Sequence, residues 1–233
     1  MAQSDFGRIL SKTEVQLKRA TDALNQTKFF AEQGNMVVAF SRAFDFEGIM
    51  EKAVLLARVM PAYTGHPNAA DLSERLICET VPVEMGFLEP GWFCLQIPAL
   101  LPKKEQGSAS YIRGVLYPAM RRFFADKPPV SYSDCVLIFR YIYDRNRPER
   151  AWRDHDNIEV NMVADIITLY LLPDDAPRHC AHYYCSAAGD RDSTIVYVVP
   201  RSELADWIHA EKNGDLEGVM VYETCPAAAK KDV

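Results

Sequence analysis

The segment from Asn157 to Leu172 constrains this chain most. It is apolar around most of its circumference, so a helix there must be buried on all sides. A helix of that kind needs a sheet or other helices around it. Strand-like runs flank it on both sides. Val136 to Tyr143 is rich in β-branched and aromatic residues, and His182 to Cys185 and Ile195 to Val199 lie beyond it, separated by a turn around Gly189. Upstream, Val81 to Phe87 and Trp92 to Ile97 read as two strands joined at Glu89-Pro90-Gly91. Tyr111 to Phe124 carries Ile112, Leu116, Met120 and Phe123 on one side of a helix that Pro128-Pro129 ends. Ser202 to Lys212 is a last helix. The order from Val81 is strand, strand, helix, strand, helix, strand, strand. That is an α+β layout, with helices expected on one face of one sheet.

The N-terminal part differs. Phe6, Leu10, Thr13, Leu17, Ala20 and Leu24 recur at steps of four and three, close to a heptad period. Gly34-Asn35 stops that helix, and a second runs from about Met36 until Pro61. The expected organisation is therefore a helical hairpin over 1–62, a linker helix and first strand over 63–91, the sheet domain with its C-terminal helix over 92–212, and an acidic, flexible tail over 213–233. The hairpin's apolar stripe can pack on the rest of the chain or on a second copy.

Composition excludes several classes. No run approaches eighteen apolar residues, so no membrane span is expected. The N-terminus has no apolar signal core, which reads as cytoplasmic. The six cysteines form no C-x-x-C pair and read as reduced, partly buried thiols. His179 to Cys185 is dense in soft ligands, but in a strand only two of them share a side, too few for structural zinc. No Gly-rich loop is present to cradle a nucleotide.

The net charge of -6 argues against a generally basic DNA-coating protein. Gly91 to Arg153, however, holds eleven basic and five acidic residues, a local balance of +6. Such an island suits one confined polyanion site. Its candidate phosphate contacts are Lys103, Lys104, Arg113, Arg145, Arg147, Arg150 and Arg153. The arginines interleave with Tyr141, Tyr143 and Trp152, as on surfaces that contact single strands or junctions. A solvated charged face gives the same pattern.

The most specific local feature is Arg153-Asp154-His155-Asp156-Asn157, followed across the buried helix by Asp174-Asp175. In an extended segment Asp154 and Asp156 share a side. Three carboxylates converging on one point suit Mg²⁺ or Mn²⁺, which can activate water against a phosphodiester. Helix capping by Asp156 or Asn157 and an ordinary turn at Pro173-Asp174-Asp175 account for the same residues. About sixteen helical residues would also hold the two groups roughly 24 Å apart.

The pattern D-x-D-N after a strand, then a helix, then Asp-Asp, resembles the RusA-type Holliday-junction resolvases. The resemblance covers about 110 residues, from Trp92 to Pro200. It implies a RusA-like fold and a homodimer acting on branched or single-stranded DNA. It also implies Asp154, Asp156 and Asp175 as catalytic residues, with Asp174 beside them in a magnesium (or manganese) site. One position departs: the family's lysine four residues after the second Asp is Val160 here, with Glu159 next to it. A DNA-binding protein that does not cut is therefore the expectation. A magnesium-dependent, structure-selective endonuclease and a structural or interaction protein are the alternatives. The whole chain also resembles an uncharacterised family found in mobile elements of Firmicutes, which implies a DNA-transfer setting.

Overall fold

A computed structural model describes residues 2–105, 107–149, 152–216, 221–223 and 225, with backbone alone described at 2–4. The chain divides into two compact units, Met1–Leu76 and Ile77–Val233.

The first unit contains a helical hairpin and runs past residue 62 into the following helix. Helix α1 (Ala2–Glu32) ends at Gly34, whose φ of 73° needs glycine, and α2 (Met36–Val59) starts where the Asn35 side chain accepts the Val38 N–H. The buried contacts between the two helices are small: Thr13, Ala20 and Ala23 on one side, Ala39 and Ala53 on the other, with Ile9 near the open end. Small side chains let helix backbones approach closely, and this displaces the larger ones. Leu10, Leu17 and Leu24 of the predicted stripe are therefore 40%, 50% and 52% exposed. A short 3₁₀ turn, Met60–Thr64, closes α2, and α3 (Ala69–Thr80) follows.

The second unit is α+β. Its strands are β1 (Glu84–Phe87), β2 (Phe93–Ile97), β3 (Cys135–Asp144), β4 (Cys180–Gly189) and β5 (Ser193–Pro200), in the order β1-β2-β5-β3-β4. Every pairing is antiparallel except β3 with β4, which run parallel with Cys135 opposite Cys180 and Asp144 opposite Gly189. Helix α5 (Asn161–Leu171) makes the crossover between those two, and α4 (Ser108–Phe124) joins β2 to β3. β4 reaches ten residues, against four expected, because it pairs along the whole of β3.

Alternation along the strands builds two cores. Leu137, Phe139, Tyr141 and Tyr143 of β3, with Val196 and Val198 of β5, face α4 and α5. Val136, Ile138, Tyr197 and Val199 face the other way and meet Trp207 of α6 (Leu204–Asn213). The expectation of helices on one face is thus corrected. β3 and β5 are apolar on both faces, so each face needs a cover. Gly86 has its own reason: a Cβ there would lie 2.4 Å from Val221 Cγ1 and 2.6 Å from the Tyr222 carbonyl oxygen, because residues 221–222 lie along β1.

Candidate functional site

Two loops meet beyond the C-terminal end of β3. One leads from β2 to α4 and carries Lys103 and Lys104. The other leads from β3 to α5 and carries Asp154, His155 and Asp156. They are bridged by backbone: Lys104 N–H donates to the Asn157 carbonyl and Glu159 N–H to the Pro102 carbonyl, both at 2.9 Å. Ser108, in the first turn of α4, donates to the Lys103 carbonyl at 2.6 Å and accepts the Glu105 N–H. The two lysines are thus held beside the D-x-D-N segment, although about fifty residues separate them in sequence.

The second loop is anchored on β3. Tyr143 is fully buried; its hydroxyl accepts the Arg153 N–H at 3.1 Å, and its ring stacks on Trp152 with centroids 4.5 Å apart. Burial raises the Tyr143 phenol above its ordinary value, and the hydrogen bond with Arg153 works against that. The Arg153 guanidinium donates to the Leu101 carbonyl and so ties the two loops together. Asp154 is extended, but His155–Asn157 is a 3₁₀ turn closed by Asn157 N–H on the Asp154 carbonyl. Asp154 and Asp156 therefore do not share one side of an extended segment, as expected from sequence; both are exposed. Capping by Asp156 or Asn157 is corrected too. α5 starts later, at Asn161, and Glu159 accepts the Met162 N–H.

His155 turns inward over the sheet. Its Nε2 lies 2.9 Å from Ser186 Oγ on β4, and its ring packs near Tyr141 and Tyr184. The Tyr141 hydroxyl below it is buried with no hydrogen-bond partner among the described residues, and burial pushes that phenol well up. Sequence reasoning missed the His155–Ser186 pair, because only the register of β4 on β3 brings residues 155 and 186 together.

The acidic pair lies elsewhere. Asp174 and Asp175 are exposed in the turn before β4, where Asp174 Oδ1 accepts the Ala176 N–H and the Ala176 carbonyl accepts the Cys180 N–H. Ser186, beneath His155, is six residues further along β4, about 20 Å of extended chain. α5 runs between the two groups. Asp154 and Asp156 therefore do not converge with Asp174 and Asp175 within one chain, and no cluster of three His, Cys, Asp or Glu side chains able to hold a metal occurs among the described residues. Within one chain these residues do not form the three-carboxylate magnesium set that the resemblance implies. Val160, four residues after Asp156, is 4% exposed and part of the core.

The predicted basic contacts divide. Lys104 and Arg113 are exposed, and Arg113 lies 5.9 Å from the Tyr117 ring centroid. Arg145 pairs with Asp190 at 2.7 Å and Arg147 with Asp192, whose other oxygen accepts the Asp144 N–H. Those two arginines are ion-paired beside the turn that joins β4 to β5, Arg145 on the exposed surface. Arg153 is a structural tie. Arg150 lies outside the described residues.

All six cysteines are free thiols. Cys135 and Cys180 face each other across the parallel pair, both buried. The approach of Cys135, and of His182 two residues on, lowers the Cys180 thiol from its ordinary value, while the approach of Cys180 and then burial raise that of Cys135; Cys180 Sγ itself donates to the Ala181 carbonyl.

A five-stranded α+β domain with one parallel crossover, carrying a lysine loop bridged to an acidic turn, is the class defined by this fold and site. Residues 2–225 match a family described as a family of unknown function (DUF6100), and the chain belongs to that family. No curated protein and no solved structure matches it. No helix is long and apolar enough to cross a membrane, among the described residues.

Proposed function

We propose that the Ile77–Val233 unit binds branched or single-stranded DNA without cutting it, as a cytoplasmic, homodimeric protein with a RusA-like sheet. One observation carries the reading: the backbone bridge that holds Lys103 and Lys104 beside the Asp154–Asn157 turn. Lysines whose backbone is fixed where two loops meet suit phosphate contacts, which position a protein on DNA without reading its sequence. The separation of the carboxylates and the inward-facing Val160 favour binding over cleavage, and no step is derived through a metal.

The test is anisotropy titration of the full chain with four-way, forked and linear DNA over a range of salt. Tighter binding to branched than to linear DNA is expected. The Lys103→Ala/Lys104→Ala variant should weaken binding and lower the salt slope by about two. Arg145→Ala should weaken binding less than loss of the two lysines, because Asp190 competes with phosphate for that exposed arginine. Binding unaffected by loss of both lysines would refute the assignment. Junction cleavage in Mg²⁺ that disappears in Asp156→Asn would replace it with the endonuclease reading.

A further inference from the structure

β4 is an edge strand. Only β3 pairs with it, and its other side meets no strand among the described residues. The opposite edge of the sheet is met by Tyr222, which exchanges hydrogen bonds of 2.8 and 2.7 Å with Phe87 of β1. Edge strands are ordinarily kept short, charged, bulged or covered, since a free row of N–H and C=O groups recruits another strand. β4 has ten residues and no Asp, Glu, Lys or Arg.

Parity shows which groups are free. Cys135 N–H donates to the His179 carbonyl, and Arg145 N–H to the Gly189 carbonyl. In a parallel ladder alternate residues of one strand make the bonds to its neighbour. The odd-numbered residues of β4 therefore serve β3. His182, Tyr184, Ser186 and Ala188 point their N–H and C=O outward.

We propose that this edge pairs antiparallel with β4 of a second copy about a two-fold axis at Tyr184, which joins two five-stranded sheets into one continuous sheet. In that register Tyr184 faces itself and His182 faces Ser186 of the other copy. Outward residues then meet outward residues, and each opposed pair can exchange two hydrogen bonds. A slip of one residue sets outward groups against inward ones and loses them. Arg178 and Asp190 flank the strand at its two ends with opposite charges, so the two-fold register sets opposite rather than like charges at both ends, although Asp190 is already paired with Arg145 of its own chain. The strand itself adds no like-charge opposition, although the protein carries a net charge of -6. This is why a second copy suits the edge. The turn bearing Asp154 and Asp156, anchored on Ser186 through His155, would then stand at the same end of the joint sheet as Asp174 and Asp175 of the second copy. The pairing rests on the homodimer of the proposed function and is independent of its nucleic-acid part, which the DNA titrations test separately.

Sedimentation velocity of the full chain, with residue-resolved amide exchange, tests it. A dimer is expected, with the Tyr184 and Ser186 amides slowing as concentration rises. Tyr184→Lys sets two ammonium groups opposite each other and should raise the dissociation constant about tenfold or more. Tyr184 also stacks on Phe139, so a second pair of variants separates assembly from folding. Arg178→Asp should weaken the dimer, and adding Asp190→Arg together with Arg145→Ala, which removes the in-chain partner of Asp190, should restore it. A chain that stays monomeric at all concentrations overturns the proposal. So does a dimer whose Tyr184 and Ser186 amides exchange as fast as in the monomer, or one indifferent to Arg178→Asp.

Discussion

Arg140 is 8% exposed in the middle of β3, on the face that α6 covers. Its Nε lies 3.5 Å from Glu211 Oε1, without hydrogen-bond geometry and with no other partner among the described residues. Glu211 sits one turn after Trp207, so the same face of α6 delivers an indole to the core and a carboxylate to the buried cation. At 3.5 Å the attraction is about 5 kcal/mol for an effective dielectric near 20. Taking both charges out of water costs several kcal/mol, so the pair itself contributes roughly nothing net. Breaking it is different, because Glu211→Ala leaves a buried guanidinium uncompensated. The cost is about 3 kcal/mol, the lower end of the usual range, since the Glu211 side chain is 24% exposed and water can reach the gap. Arg140→Leu with Glu211→Leu should be neutral within about 1 kcal/mol, or stabilising. The assay is urea unfolding followed by tryptophan fluorescence. Trp92, Trp152 and Trp207 all lie in the Ile77–Val233 unit, so the signal reports that unit alone. A midpoint shift at constant slope gives the stability change. A cost below about 1 kcal/mol for Glu211→Ala, with strict additivity in the double variant, would refute the uncompensated-charge argument.

Val160→Lys restores the residue type expected from the resolvase pattern. It places an ammonium in the core, so it should destabilise by about 3 kcal/mol or more and produce no junction cleavage; cleavage in a folded variant would show that the side chain reaches the loops. Gly86→Ala forces the segment at Val221 and Tyr222 off β1, at a cost of about 1–3 kcal/mol, read as faster proteolysis near residues 221–225 with the rest of the sheet intact. Cys180, lowered by the approach of Cys135 and His182, should ionise below the ordinary thiol range, its thiolate being lost as pH falls. Its ultraviolet thiolate band should vanish in Cys180→Ser, and in Cys135→Ala it should titrate at higher pH because the approach of Cys135 is gone. A band that first appears near the ordinary thiol value would contradict this.

Local pattern made much of this protein legible. The hairpin, the strand–helix order from Val81, the turn at Glu89-Pro90-Gly91 and the buried character of α5 follow from periodicity and turn chemistry, which act within a few residues. The α+β class followed from that order. The lysine loop and the D-x-D-N segment were each visible as motifs. Their contact was not, because two backbone hydrogen bonds across about fifty residues make it.

Where elements sit was decided by tertiary packing. The heptad leucines of α1 are exposed because alanines take the helix crossing, and a sequence period cannot tell which of two adjacent stripes wins. α6 covers a second face because β3 and β5 are apolar on both sides. The parallel register of β4 on β3 brings His155 to Ser186 and pairs Cys135 with Cys180. The crossover helix α5 that makes this register possible also holds Asp174 and Asp175 at the far end of the sheet. A sequence states which carboxylates exist and how far apart they lie along the chain; only the path of the backbone between them sets their distance in space.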